Sequence, residues 1–258
     1  VMQGVFSNPL ADPGIMGVSA GASLGAVIAI ALGFTSLGMF YMPAFAFVGA
    51  FVSVGITILL TLRNNKLDTT TLLLAGVAVS MLLGAFTSGI LTMINEYRLR
   101  EFLFWMVGGL DFRRWDHVLL AVGPIMTGSV ILMMLGRHLN VLVLGDTEAR
   151  ALGVPVMVYR MLFLFLSSVI TATAVCVSGS IGFVGLVVPH IVRLLVGPDH
   201  RILLPMAAIG GALFLVFCDT LGRVVAQPVE IRVGIMTALL GAPYFLYLLH
   251  RLRSKGGA

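Results

Sequence analysis

The most charged short stretch of the chain is LGDTEARALGVPV, which occupies residues 144–156. Asp146 can accept hydrogen bonds from the free N–H groups at a helix start, and Gly153 can adopt the left-handed conformation that ends a helix. The stretch therefore predicts a polar helix of about two turns. Glu148 and Arg150 would be exposed on it beside apolar residues, which suits either a plain connection or a docking surface for a soluble partner.

Residues for catalysis or metal binding do not come together in the sequence. No G-x-x-x-x-G-K-[ST] motif, which would cradle ATP phosphates, occurs in the 258 residues. No His, Cys, Asp or Glu cluster has metal-ligand spacing, and no nucleophile has a plausible base near it. We therefore expect no enzyme, no metal site and no cofactor, and any energy that the protein needs must come from a partner or an ion gradient.

His190, in VVPHIVR, is an ionisable residue within an apolar run, which makes it a functional candidate. A haem ligand is one interpretation. The other is structural, in that Pro189 frees a backbone carbonyl one turn back and His190 or Arg193 helps to satisfy it. Cys176 and Cys218 also fall in apolar runs, where a cysteine usually behaves as a small hydrophobe.

The composition indicates which elements must position these residues. Charged residues make up 10% of the chain and hydrophobic residues 59%, against about 25% charged in a typical soluble domain. A membrane crossing needs about 20 mostly apolar residues. Eight runs qualify and predict a single, all-α, polytopic membrane domain over residues 1–258: Val18–Phe34, Phe40–Leu62, Thr71–Ile94, His117–Gly136, Val156–Ser178, Ile181–Gly197, Ile202–Leu221 and Ile231–His250. Its surroundings are lipid and protein, and no nucleic-acid partner is expected.

The distribution of basic residues predicts the orientation, because cytoplasmic loops carry the excess of Lys and Arg. One set of loops, with the C-terminus, holds ten of the 16 basic residues: Arg63, Lys66, Arg137, Arg150, Arg160, Arg193, Arg201, Arg251, Arg253 and Lys255. The other set holds Arg98, Arg100, Arg113, Arg114, Arg223 and Arg232. We expect the C-terminus and residues 144–156 to be cytoplasmic, and eight crossings then place Val1 on the same side.

The chain starts VMQGVFSNPLADPG, without an initiating Met. These residues are typical of the end of a helix stopped by Asn8-Pro9 and Asp12-Pro13, since residues before proline avoid the helical region. We expect roughly 60–90 further residues before Val1, enough for two more crossings of about 20 residues each.

Five segments carry a family resemblance: NPLADPGIMGVSAGASLGA, LLLAGVAVS, LGDTEARALGV, GFVGLVVPHIVRLLVGPDHRILLP and GIMTALLGAPYFLYLL. In order and spacing they resemble the permease subunits of type II ABC importers for ferric siderophores, haem and cobalamin. The resemblance implies ten crossings in the full subunit, a homodimer in the inner membrane, two ATP-binding subunits and a periplasmic or lipid-anchored binding protein.

The resemblance also assigns roles to residues. Leu142–Gly153, here named the coupling segment, would rest in a cleft of the ATPase through Leu144, Gly145, Asp146, Glu148, Arg150 and Gly153. The third and last predicted crossings would line the path between two subunits. Their small or hydroxylated residues Ser80, Thr87 and Thr237 would leave room for a bulky cargo, and Thr69 and Thr70 would narrow the cytoplasmic end.

Arg223 matches a family arginine that pairs with a glutamate on the binding protein, and its alternatives are an interfacial arginine or a partner for Asp219 at i−4. Arg232 stands where family members often have proline, which leaves it as a nearby substitute cation. The segment EYRLREFLFWMVGGLDFRRWDH on the same side predicts an amphipathic interfacial stretch anchored by Trp105 and Trp115.

The sequence therefore predicts the permease subunit of an ABC importer for an iron chelate or cobalamin. The alternative is a secondary transporter driven by an ion gradient, which would require carboxylates at mid-membrane depth, and Asp219 is the one candidate. A membrane scaffold without transport is a third possibility. Gly17, Gly21 and Gly25 are expected to serve close helix packing in any of these.

Overall fold

A computed structural model describes residues 1–62 and 69–255, and within these ranges every regular element is a helix. The described α-helices are α1 Met2–Val5, α2 Val18–Ala31, α3 Tyr41–Thr61, α4 Thr69–Leu91, α5 Glu96–Val107, α6 Trp115–Met134, α7 Gly136–Val143, α8 Asp146–Ala151, α9 Val156–Ser178, α10 Val184–Val196, α11 His200–Val225 and α12 Val233–Lys255. The all-α expectation is confirmed. The loop cations Arg63 and Lys66 lie outside the described residues, as do the side chains of Arg251, Arg253 and Lys255.

Five of these helices, α3, α4, α6, α9 and α11, contain 20 to 26 residues and are apolar enough to span a bilayer. At 1.5 Å per residue each covers the hydrocarbon core of about 30 Å. Helices α2 and α10, with 14 and 13 residues, and the apolar part of α12, Val233–Tyr247, are shorter. The protein is embedded in the membrane by several crossings, and the number eight stays a prediction.

Two predicted crossings were too long because apolar residues also form the turns beside them. The first ends at Ala31 rather than Phe34, and Gly33 follows with a φ of 77°. The sixth begins at Val184 rather than Ile181, because Phe183 adopts a φ of 67° and cannot belong to the helix. Composition alone does not distinguish an apolar turn from an apolar helix.

Helix α2 lies at the centre of the bundle, packed against α3, α4, α5 and α9. Val18, Ala22, Ala26 and Val27 have no exposed surface. By contrast, α6 and α11 direct many large apolar side chains outward, as expected for helices that face lipid. The core of the protein is therefore built around one short helix rich in small residues.

Glycines allow α2 and α3 to approach until their backbones touch. A Cβ atom at Gly21 would collide with the carbonyl oxygen of Gly49, and one at Gly25 would collide with that of Phe45. A Cβ at Gly17 would collide with the hydroxyl of Ser53. The expected packing role of Gly17, Gly21 and Gly25 is confirmed, because lipid offers no hydrophobic drive and close van der Waals contact must hold the helices together.

A proline breaks the hydrogen-bond ladder of α10, and a distant side chain repairs it. Pro189 cannot donate to the carbonyl of Gly185, four residues earlier. Gln3, on α1, donates its side-chain amide to this carbonyl at 3.2 Å and accepts a hydrogen bond from Arg193 at 2.8 Å. Arg193 helps to satisfy the carbonyl only indirectly, by holding Gln3, which reaches the carbonyl itself.

We predict that Gly21→Ala destabilises the protein, whereas Gly55→Ala on α3 does not, because no atom lies within 4 Å of a Cβ at Gly55. Overpacking of this kind costs about 1–3 kcal/mol and lowers the Tm by roughly 2–4 °C per kcal/mol in a protein of this size. The measurement is the thermal unfolding of both variants in the same detergent. Equal Tm values would show that α2 and α3 do not meet at Gly21.

Candidate functional site

Helix α8 forms the exposed centre of the coupling segment. It begins after Gly145, which has a φ of 118°, and it ends before Gly153, which has a φ of 78°. At the end of the helix, the N–H of Gly153 donates to Arg150 at 2.9 Å and the N–H of Val154 to Ala149 at 3.0 Å. These two bonds form a Schellman cap. The polar helix and the left-handed Gly153 are both as predicted.

Asp146 does not cap this helix, so that expectation was wrong. The helix starts one residue earlier than predicted, with Gly145 at the N-cap and no side-chain cap. The Asp146 carboxylate instead accepts hydrogen bonds from Nη2 of Arg160 at 2.6 Å and from Nη1 at 3.4 Å. Arg150 lies further from it, at 3.6 Å. A nearly buried guanidinium satisfies the carboxylate more strongly than neutral backbone N–H groups would.

The outer face of the coupling segment is charged and apolar together. Glu148 and Arg150 are exposed, and Leu144 and Leu152 expose 61% and 64% of their surfaces. The inner face is anchored by Ala149, which has no exposed surface and belongs to the main core. A short helix fixed from behind and open in front can enter a groove on another protein.

A polar cluster ties α7, which precedes α8, to the start of α11. Asn140 donates to the carboxylate of Asp199 at 2.7 Å and accepts from the backbone N–H of His200 at 2.9 Å. The backbone N–H of Arg201 and the Asn140 amide hold the pKa of Asp199 below its usual value. Asp199 therefore stays charged and caps α11 while it also binds α7.

The hydroxyl groups assigned to the path bond to their own helices. Ser80 donates to the carbonyl of Gly76, Thr87 to that of Leu83 and Thr237 to that of Gly234, at 2.7, 2.9 and 3.1 Å. Ser80 is half-buried, whereas Thr87 and Thr237 are buried within this chain.

The two gate candidates, Thr69 and Thr70, were expected to precede the helix. They form the first turn of α4 instead. Thr70 is exposed and Thr69 is half-buried. The path and gate roles of all five hydroxyl residues remain predictions.

At the other end of the bundle, Arg223 lies between two carboxylates. Its Nε atom is 2.8 Å from Asp219, and its Nη2 atom is 3.8 Å from Asp111. The alternative of an i−4 pairing with Asp219 is observed, and docking of a binding protein on Arg223 remains a prediction. Arg232 is occupied elsewhere, because it donates to the carbonyl of Phe104 at 2.6 Å and lies over that ring.

Three further candidates, two tryptophans and one histidine, differ in their surroundings. Trp115 is 80% exposed and suits an interfacial anchor, but Trp105 is 4% exposed and packs near Phe102, so its expected anchoring role was wrong. His190 lies 6.3 Å from the ring of Tyr244, measured between ring centroids. Among residues 1–62 and 69–255, no three His, Cys, Asp or Glu side chains are grouped to hold a metal ion.

The model of the FecCD transport family matches residues 1–251. The chain belongs to this family. The resemblance of the five sequence segments is thereby confirmed, and the permease interpretation is supported over an ion-gradient transporter.

Curated relatives within and beyond bacteria resemble almost the whole chain. The cobalamin import system permease BtuC of Halobacterium salinarum is 48% identical over 96% of this chain and 66% of its own length. The hemin transport system permease HmuU of Yersinia pestis is 45% identical, over 99% of this chain and 77% of its own. The chain thus spans about two thirds to three quarters of the relatives that it matches.

Two solved structures share the fold. An inward-facing ABC transporter assigned to the metal-chelate type matches with a TM-score of 0.90 and 35% identity, over 96% of this chain and 79% of its own. PsaBC from Streptococcus pneumoniae, solved with a Fab, has a TM-score of 0.58 and 17% identity, over 95% of this chain and 86% of its own. The second match shows the fold alone.

Sequence analysis missed three residues of this FecCD chain that hold the coupling segment in place, namely Arg160, Asn140 and Asp199. Arg160 was counted as one loop cation among ten, although it lies inside an apolar run. A charge at that position needs a partner, and Glu148 and Asp146 are the two acidic residues that most closely precede it in the sequence.

We predict that Gly153→Ala loosens α8, because an L-residue in the left-handed region costs about 1–2 kcal/mol. Amides of residues 146–154 should then exchange with solvent roughly tenfold faster, since each 1.4 kcal/mol is tenfold in the equilibrium. Hydrogen exchange read by mass spectrometry measures this. Gly182→Ala is the control, because Gly182 has open space around its Cβ and no positive φ. Equal exchange in both variants would contradict the prediction.

Proposed function

We propose that this FecCD chain is the membrane-spanning subunit of an ABC importer that moves a metal chelate across the inner membrane. The chelate is a ferric siderophore, haem or cobalamin. One observation carries the proposal, namely the coupling segment, whose helix α8 is capped, anchored from behind and exposed in front. Such a surface suits binding to a partner protein whose conformational change moves α8. The C-terminus and α8 lie in the cytoplasm in this proposal, in accordance with the excess of basic residues there.

Two partner proteins are proposed, an ATP-binding subunit and a binding protein. It holds no ATP-binding motif among its 258 residues, so a separate ATP-binding subunit meets α8. A periplasmic or lipid-anchored binding protein delivers the cargo at the opposite end, near Arg223. A permease of an ABC importer implies both partners.

A second copy of the chain completes the path. Helix α4 exposes most of its length, and added Cβ atoms at Gly84 and Gly89 would meet no neighbouring atom within 4 Å. Small residues on an exposed helix allow another helix to approach closely. We place the path between two α4 helices and the last helices of a homodimer, with Ser80, Thr87 and Thr237 beside it and Thr69 and Thr70 at its cytoplasmic end.

The positions of the carboxylates favour ATP-driven transport over an ion gradient. Within the described ranges, acidic residues occupy loops, the short α5 and α8, or the end regions of long helices: Asp12, Glu96, Glu101, Asp111, Asp116, Asp146, Glu148, Asp199, Asp219 and Glu230. Asp219 was the one suspected ion carrier, and it is engaged with Arg223. An ion-coupled transporter uses carboxylates near the middle of the membrane.

The names of similar proteins indicate the chemical class of the cargo. The names of two relatives specify cobalamin and haem, both bulky metal macrocycles. A path beside small residues, with the nearby hydroxyls of Ser80 and Thr87 already bonded to backbone carbonyls, offers such a cargo room without strong binding. Selection among the chelates belongs to the binding protein in this proposal.

We predict that Glu148→Ala combined with Arg150→Ala lowers chelate uptake and weakens copurification of the ATPase by roughly tenfold, the effect of losing about 1.4 kcal/mol of binding. The permease alone should hydrolyse no ATP. Folding should be preserved, since truncation of exposed side chains costs within about 0.5 kcal/mol. Uptake is measured per amount of inserted protein.

The matched control for this double variant is Glu96→Ala with Arg100→Ala, an exposed i,i+4 ion pair of 2.7 Å on the other side of the proposed membrane. It removes the same two charges without touching α8. Normal uptake and normal ATPase recovery in the Glu148 and Arg150 variant would remove the docking role from the coupling segment.

We predict that Arg223→Glu nearly abolishes uptake, because it brings like charges together at the proposed contact with an acidic residue of the binding protein, a cost of several kcal/mol. A reversed charge on the facing lobe of the binding protein should restore part of the uptake. The measurement is chelate uptake normalised to folded permease, with both forms of the binding protein.

Arg114→Glu provides the control for Arg223→Glu, since Arg114 is an exposed arginine on the same side. If Arg223 serves only Asp219 and Asp111, the charge reversal reduces the amount of inserted permease and no change in the binding protein rescues uptake. Normal uptake at normal abundance would exclude Arg223 from the docking site.

A further inference from the structure

Helix α8 is joined to its neighbours through two glycines that no other residue replaces without strain. Gly145 separates it from α7, and Gly153 separates it from α9, both with positive φ. A helix of six residues does not hold its orientation by its own hydrogen bonds. Contacts with the bundle must therefore determine the angle at which α8 stands.

Two contacts provide this. Ala149 is fully buried in the main core and fixes how closely α8 approaches the bundle. A methyl group alone leaves rotation about the two glycines open. The second contact is the pair of hydrogen bonds between Asp146 and Arg160, at 2.6 and 3.4 Å.

The geometry of this pair suits a rigid connection between α8 and α9. The Arg160 side chain is 10% exposed, whereas that of Asp146 is 42% exposed, so the guanidinium side of the pair is shielded from water and salt while the carboxylate faces them in part. Two parallel bonds between a guanidinium and a carboxylate restrict rotation as well as distance. Arg160 lies in the second turn of α9, which packs against α2, α3 and α6.

The competing partner of Asp146 is weaker. Arg150 approaches the same carboxylate at 3.6 Å, with 62% of its side chain exposed. Exposed i,i+4 pairs of this kind contribute little. It also lies within α8, so it cannot orient α8 relative to another helix.

We propose that the Asp146–Arg160 pair transmits movement from α8 to α9, so that a shift imposed on the outer face of α8 is passed to the bundle rather than absorbed by rotation at Gly145 and Gly153. Arg160 is a positioning residue. The inference rests on the proposed function, because it assumes that an ATPase moves α8. The hydrogen bonds of the pair lie behind the outer face of α8, where Glu148, Arg150, Leu144 and Leu152 are exposed.

The first test measures the orientation of α8 directly, without transport. A spin label is attached at Thr147→Cys, an exposed position, while the native Cys176 and Cys218 are buried. Asp146→Asn and Arg160→Gln should each increase the mobility of the label, Arg160→Lys should increase it less, and the control Glu96→Gln should leave it unchanged. An immobile label in both Asp146→Asn and Arg160→Gln overturns the inference, whatever the protein transports.

The second test measures coupling in full-length permease reconstituted with its ATPase and binding protein. Asp146→Asn and Arg160→Gln should lower the chelate imported per ATP hydrolysed by about tenfold, within the range of couplings between contacting residues. The double variant should be no worse than the poorer single variant. Arg160→Lys should regain part of the ratio, because it keeps the charge.

The outcomes separate this inference from the proposed function. A mobile label with an unchanged ratio of import to ATP hydrolysis would overturn transmission through the pair while leaving the importer intact. A merely structural pair would lower the amount of folded protein without changing the ratio. Failure of ATPase binding in wild-type permease would instead overturn the proposed function. If the Arg160→Gln protein does not insert into the membrane, Asp146→Asn and Arg160→Lys test the same inference by the same two measurements.

Discussion

The fold depends on one constraint, which is that the hydrocarbon core offers no water to the backbone. Each helix must satisfy its own polar groups or borrow a partner from another helix. The proline in α10 shows the constraint at work, because Gln3 reaches across to the carbonyl of Gly185 that the proline leaves free. Hydroxyls within the long helices likewise bond to carbonyls three or four residues earlier, as do those of Ser80 and Thr87.

The same constraint moves charge to the two ends of the bundle. At one end Asp146 pairs with Arg160, and at the other Arg223 lies between Asp111 and Asp219. Helix α11 connects these regions, since its first residues contact Asn140 on α7 and its last turn carries Arg223. An apolar bundle with charge networks at both ends suits a protein that receives partners on both faces of a membrane.

Local features of the fold were predictable because they depend on residues close in sequence. Long apolar runs indicated spanning helices, and the polar stretch between two of them indicated α8 with Gly153 at its end. The prediction failed at Asp146 because a cap depends on where the helix starts. Gly145 is the N-cap, so Asp146 is already the first residue of the helix. It failed at Trp105 because an aromatic residue beside charges can point inward as well as toward the interface.

The sequence by itself determined that the chain is an all-α membrane permease of a recognisable importer family, since hydrophobic length and ordered motifs are written locally. Only the tertiary structure decided which polar groups meet. Asp146 and Arg160 are 14 residues apart, Asn140 and Asp199 are 59 apart, and Gln3 and Gly185 are 182 apart. Such pairs arise from the way in which helices cross, and no period or motif along the chain encodes the crossing.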